Sequence, residues 1–232
     1  MSAHSPAAYS RSRKIALFGG SFDPIHVGHM AVARAAQRRF HLDQILFIPC
    51  GRAPHKQHHT LAAFPHRYAM VSLAVAEHAG FVASLAEAGP DLSGSQVFYS
   101  VDTVRHFRHV FHHPGDRLYF ILGADSFLEI PTWRDYETLL DSCDFIVASR
   151  PGFRMDALRL VIPPELLGRP LASASLGPRA IRLRRTWVHL LDTVTSHVSA
   201  TDLRRRMHRG RSIRGLVPAR VEEYILKQAL YR

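Results

Sequence analysis

The chain has 232 residues, 47% of them hydrophobic, with 14 Gly, 14 Pro, 2 Cys and a net charge of +11. That is globular composition, long enough to bury roughly 70% of the surface its unfolded chain would expose, and it excludes disordered, collagen-like and disulfide-scaffold readings. The charge is uneven: residues 1–178 carry +2 and residues 179–232 carry +9, a field that draws polyanions, with nucleic acid and phosphorylated small molecules both candidates.

In chain order, Met1 to Arg13 is polar and Ser/Ala-rich, and residues 1–13 are expected as a flexible tail. Lys14 to Phe18 then reads as a buried strand, Gly28 to Phe40 as a helix, Gln44 to Pro49 as a strand and Pro65 to His78 as a helix. The beat continues through a strand at Phe81 to Ala83, a helix at Ser100 to Phe111, a strand at Arg117 to Leu122, a helix at Trp133 to Leu140 and a strand at Phe145 to Ala148. Short apolar runs alternating with helices of about three turns predict an α/β fold with a mostly parallel sheet covered on both faces. Pro151 to Pro178 is Pro/Leu-rich and poorly periodic, Ile181 to Leu191 alternates like one further strand, and Thr201 to His208 and Ala219 to Leu230 read as closing helices. One domain is expected, with residues 14–197 as its α/β body and residues 198–232 as a small helical C-terminal cap. No apolar run approaches the ~18 residues of a membrane span, no signal-peptide core opens the chain, and Cys50 and Cys143 lack a metal-type partner. A soluble, cytoplasmic protein with no membrane partner is therefore expected.

The informative stretch is Gly19 to His29, GGSFDPIHVGH, between the first strand and the first helix. In an open α/β sheet, that junction at the carboxyl end of a strand is where ligands bind. Glycines there allow close backbone approach, yet the stretch is neither G-x-G-x-x-G nor G-x-x-x-x-G-K-[ST], so another device must hold a phosphate. His26 and His29, spaced i,i+3 around Gly28 at a helix opening, can bring two imidazole donors beside free N–H groups where negative charge is favoured. In a chain with 16 His, capping or surface histidines are the commoner outcome of such spacing, and a zinc pair lacks a nearby third ligand.

This stretch resembles the signature of the nucleotidylyltransferase superfamily, and an ordered set of further blocks resembles, more narrowly, the bacterial nicotinate-nucleotide adenylyltransferases. The blocks are Ile48 to Lys56 (IPCGRAPHK), Phe98 to Val104 (FYSVDTV), Leu122 to Phe127 (LGADSF) with Thr132 and Trp133, Val198 to Arg204 (VSATDLR), and Leu216 to Pro218. The resemblance implies a Rossmann-like, doubly wound nucleotide-binding fold and transfer of the adenylyl group of ATP to nicotinate mononucleotide. It implies His26, His29 and Arg204 as catalytic residues. Gly19, Gly20, Ser21, Phe22, Gly123, Asp125, Ser199 and Thr201 would bind ATP. Lys56, Arg67, Ser100, Val101 and Trp133 would bind the mononucleotide. Magnesium is expected with ATP, held by phosphate oxygens and water, since no carboxylate cage for a protein-bound metal is visible. Two departures stand out: Ala200 replaces a Ser of the family block, and Ala86 to Val97 is longer than the usual connector. A nucleic-acid partner ranks below this reading, because from residue 179 onward only Trp187, Tyr224 and Tyr231 could stack on bases. Self-association into a homo-oligomer is left open.

Overall fold

A computed structural model describes residues 12–51, 61–150, 152–168, 179–192 and 198–232, so the expected tail lies almost wholly outside the described residues. The strands are β1 (Lys14–Gly20), β2 (Gln44–Pro49), β3 (Phe81–Ala83), β4 (Arg117–Gly123), β5 (Asp144–Ala148), β6 (Ala180–Arg182) and β7 (Trp187–Leu191). They form one sheet in the order β3-β2-β1-β4-β5-β7-β6. Every pairing is parallel except the terminal β6–β7. The helices are α1 (Val27–Phe40), α2 (Phe64–Val75), α3 (Ser100–Val110), α4 (Ala124–Leu128), α5 (Tyr136–Leu140), α6 (Met155–Leu160), α7 (Ala200–His208) and α8 (Ala219–Lys227).

The alternation of side chains along the central strands divides the core in two. Ile15, Leu17, Phe120, Leu122, Phe145 and Val147 face α3, α4, α5 and α6, meeting Val104, Phe127, Leu139 and Leu158. Ala16, Phe18, Ile121 and Ile146 face the other way, against Met30 and Ala33 of α1, Met70 of α2, Leu203 of α7 and Val221 of α8. Each fully buried Leu, Ile or Phe contributes about 1.5–3 kcal/mol, which is why apolar runs buried on both faces dominate the centre of the sheet. From β1 the chain winds outward to β2 and β3, then crosses back to β4 on the other side of β1. That reversal opens a crevice at the carboxyl ends of β1 and β4, the switch point where such sheets bind ligands.

The structure corrects several expected elements. Helix α5 starts at Tyr136 rather than Trp133: Pro131 seeds a 3-10 turn at Ile130–Thr132, Trp133 is extended, and Asp135 has φ 47°. The single strand expected at Ile181 to Leu191 is a hairpin, its Leu183 N–H donating to the Thr186 carbonyl at 2.9 Å. Exposed Arg184 and Arg185 occupy the turn, where neither must face the sheet. The stretch from Pro151 to Pro178, which read as aperiodic, includes α6 and a 3-10 turn at Pro164–Leu166. Its buried Leu158, Ile162 and Leu166 follow a four-residue spacing. Pro151 and residues 169–178 lie outside the described residues.

Candidate active site

The site begins where β1 ends. A Cβ on Gly20 would lie 3.1 Å from the Phe22 ring, so a larger residue there would push that ring aside. Phe22 has φ 47°, a left-handed conformation that costs of order 1–3 kcal/mol and persists only where packing over-determines it. The packing is present: the Phe22 ring, 2% exposed, lies 5.6 Å from Phe18, 5.9 Å from Phe47 and 5.1 Å from His29. The strained residue comes two positions after Gly20, the last residue of β1. The Asp23–Pro24 peptide that follows is cis.

His26 and His29 are brought together. His26 is the N-cap of α1, and its backbone N–H donates to His29 Nδ1 at 3.2 Å. The two rings stack with centroids 3.7 Å apart. The capping alternative is therefore true in part, since His29 closes the helix end; it does so with one nitrogen only. Because Nδ1 accepts, the neutral ring carries its proton on Nε2, which remains a donor. The other ring has a buried Nδ1 without a hydrogen-bond partner among the described residues. Burial lowers the His26 pKa from 6.5 to about 4, and burial together with the neighbouring His26 charge holds His29 well below its ordinary value. Both imidazoles are neutral at pH 7, so they meet an anion as N–H donors rather than as fixed cations.

Arg204 reaches the same loop from α7. Its Nη1 donates to the Asp23 carbonyl at 2.6 Å and lies 3.6 Å from Asp23 Oδ2, while Nη2 donates to Thr201 Oγ1 at 3.3 Å. Asp23, 1% exposed, also accepts from the Tyr231 hydroxyl at 2.5 Å and from Ala62 N–H at 3.2 Å. One buried carboxylate thus ties together the β1 loop, α7, the segment leading into α2 and the C-terminal turn. Ser199 is the N-cap of α7, accepting from Asp202 N–H at 3.1 Å; Ala200 follows as the first helical residue. Beside Arg204 an open cavity of about 580 Å³ is lined by Leu61, Leu230 and Tyr231 together with Arg205, His208 and Arg209. Part of the C-terminal charge surplus is gathered there.

The remaining expected residues divide by what they touch. Arg67 is 3% exposed and its guanidinium donates to the carbonyls of Ala62, Ser21 and Cys50 at 2.9, 2.9 and 2.7 Å. Those bonds make it a clamp on the β1 and β2 loops. Gly123 caps α4 with open space around it, and Asp125 is exposed with no hydrogen bond on its carboxylate among the described residues. Ser100 and Val101 open α3 beyond Tyr99, which offers no side-chain cap, so their first-turn N–H groups are available to an acceptor. Trp133 is half-buried, edge-on to Phe120 at 6.4 Å. Lys56 lies outside the described residues. Sequence reasoning weighed Tyr231 only as an aromatic for base stacking and missed its bond to Asp23, and it missed the structural use of Arg67, which motif matching reads only as a ligand. Among the described residues no cluster of three or more His, Cys, Asp or Glu could hold a metal, and no helix is long and apolar enough to cross a membrane.

Residues 17–206 match the cytidylyltransferase-like family. A protein of Moorella thermoacetica described as a probable nicotinate-nucleotide adenylyltransferase is 39% identical over 226 residues, 96% of this chain and 94% of the relative. A protein of Geobacter sulfurreducens with the same description is 39% identical over 94% of this chain and 98% of its own length. The solved nicotinic acid mononucleotide adenylyltransferase of Plasmodium falciparum, complexed with APC in one structure and NaAD in another, shares the fold. Its TM-score is 0.68 in both, at 20% and 19% identity, over 94% of this chain and 97% of that one. The chain belongs to the cytidylyltransferase-like family and, within it, to the nicotinate-nucleotide adenylyltransferases.

Proposed function

We propose that the protein transfers the adenylyl group of ATP to nicotinate mononucleotide, releasing pyrophosphate and forming nicotinate adenine dinucleotide in the cytoplasm. A phosphate oxygen of the mononucleotide attacks the α-phosphorus of ATP in line, and the bond from that phosphorus to the β-phosphate oxygen breaks. Phosphate is already nucleophilic at neutral pH, so positioning and charge neutralisation supply most of the rate. The observation that carries this reading is the stacked His26–His29 pair at the sheet's switch point, with the His29 proton directed to Nε2. Neutral donors preorganised beside a helix N-terminus stabilise charge that grows on the α-phosphate without repelling magnesium.

In this scheme His29 donates to the α-phosphate and His26 to a neighbouring phosphate oxygen. Gly19, Gly20, Ser21 and Phe22 form the floor under the nucleotide phosphates, and Arg204, with Thr201 and Ser199 at the opening of α7, holds the β- and γ-phosphates that leave. Gly123 and Asp125 receive the ribose. On the acceptor side, the N–H groups of Ser100 and Val101 meet the pyridine carboxylate, Trp133 stacks on the ring, and Lys56 holds the mononucleotide phosphate. Arg67 serves the acceptor by setting the loop carbonyls rather than by its own contact. Magnesium arrives with ATP as part of the substrate, on phosphate oxygens and water.

The test is pyrophosphate release from ATP and Mg²⁺ with nicotinate mononucleotide, beside nicotinamide mononucleotide and an acceptor-free control. Release with the nicotinate compound, at higher kcat/KM than with its amide, is expected; absence of release with every acceptor overturns the proposal.

A further inference from the structure

The connector from Ser84 to Tyr99, between β3 and α3, folds over the end of β2. A Cβ on Gly51 would lie 2.7 Å from the Glu87 carbonyl oxygen, 3.0 Å from that of Gln96 and 3.0 Å from the Phe98 ring. Only a glycine passes there without displacing backbone. The Glu87 carboxylate accepts from Thr103 Oγ1 at 2.8 Å, and the Gly51 N–H and the Arg67 charge lie close enough to favour its ionised form. Burial raises its pKa, and these three partners pull in the opposite direction to favour the carboxylate. Nothing in the reaction described above uses this acid.

The carbonyl of Cys50 and the N–H of Gly51 belong to a single peptide unit. Arg67 Nη1 holds its oxygen at 2.7 Å, and the Glu87 carboxylate lies on the side of its nitrogen. The Cys50 N–H is fixed in turn by the Gly20 carbonyl at 2.8 Å. A peptide held at its oxygen and crossed at Gly51 by the connector backbone has little room to turn, which restrains the direction in which the chain leaves β2. Through Thr103, the same carboxylate reaches the first turn of α3, whose opening N–H groups belong to Ser100 and Val101.

We propose that Glu87 is a positioning residue for the acceptor half of the site, locking the Cys50–Gly51 peptide in register with the N-terminus of α3. The proposal rests on the assignment of that half to the mononucleotide. In Glu87→Gln the amide oxygen can still accept from Thr103, but the amide nitrogen is a donor facing whichever N–H remains, so one grip is lost. Thr103→Val removes the other, and Thr103→Ser restores it.

Steady-state kinetics with each substrate varied separately tests this. Glu87→Gln and Thr103→Val should each raise KM for the mononucleotide about tenfold, equivalent to 1.4 kcal/mol, while KM for ATP and kcat at saturating acceptor stay within twofold. Thr103→Ser should return KM to within twofold of the parent, and the double variant should lose less than the product of the single effects. Unchanged kinetics, or both KM values rising together with a lowered Tm, overturns the proposal. Should the parent protein fail to use the mononucleotide at all, the acceptor assignment falls by itself, and amide exchange at Gly51 decides for Glu87. Exchange at least tenfold faster in Glu87→Gln supports the grip, and unchanged exchange refutes it.

Discussion

The hydroxyl of Tyr231 offers a clean perturbation, because Tyr231→Phe deletes one oxygen and opens no cavity. That oxygen donates to Asp23 Oδ1 at 2.5 Å, inside a site where Asp23 is 1% exposed. A hydrogen bond to a charged group contributes about 1.5–3 kcal/mol. The lower end applies, since Ala62 N–H still reaches the same oxygen at 3.2 Å and Arg204 stays 3.6 Å from the other. For a domain of this size, each kcal/mol moves Tm by about 2–4 °C, so a loss of about 1.5–2 kcal/mol lowers Tm by roughly 3–8 °C. Because Arg204 is braced by the carbonyl and carboxylate of Asp23, KM for ATP should rise severalfold while KM for the mononucleotide moves less. Thermal melts and urea titration at pH 7 give the stability, and initial rates give the two KM values. A Tm within 1 °C of the parent with unchanged ATP kinetics would show that Asp23 is held without Tyr231.

Four further outcomes are expected. Replacing His29 by Ala removes one preorganised donor and should lower kcat about a hundredfold or more; pyrophosphate release at the parental rate would exclude its role at the α-phosphate. Arg204→Ala should weaken ATP use more than acceptor use, and a defect confined to the acceptor would contradict the assignment. Arg67→Lys cannot span all three carbonyls with a single ammonium, so it should destabilise the fold by about 1–2 kcal/mol, leaving part of this half-buried acceptor set short of donors; an unchanged urea midpoint would refute the clamp. Finally, the unfolded chain protonates His26 and His29 below about pH 6.5 while the folded chain resists, His26 down to about 4. Stability associated with these rings is complete above pH 6.5 and declines as pH falls, by about 3 kcal/mol at pH 4 for His26 alone. Melts from pH 7.5 to 5 should show this decline and should lose part of it in a His26→Gln variant; identical profiles would refute the burial effect.

Much of the fold was legible because apolar spacing reports burial directly. Strands such as Lys14–Gly20 and Gln44–Pro49 are buried on both faces and read as continuous apolar runs whatever their neighbours do. The errors fell where burial is partial. Trp133 looks helical by spacing but is extended, because its ring packs edge-on to Phe120 and Pro131 diverts the chain just before it. At Ile181 to Leu191, alternation cannot distinguish one strand from a hairpin of two.

The site divides along the same line. Proximity that depends on neighbours in sequence was readable from the chain alone: His26 and His29 are three residues apart on a helix opening, and no fold is needed to bring them together. The joining of Asp23 to Tyr231 across 208 positions, of Arg67 to Ser21 across 46, and of Glu87 to Thr103 through a long connector was decided only by the tertiary structure. Local spacing carries local geometry, whereas a buried charge declares its partners only after the sheet has closed around it and excluded the water that would otherwise have satisfied it.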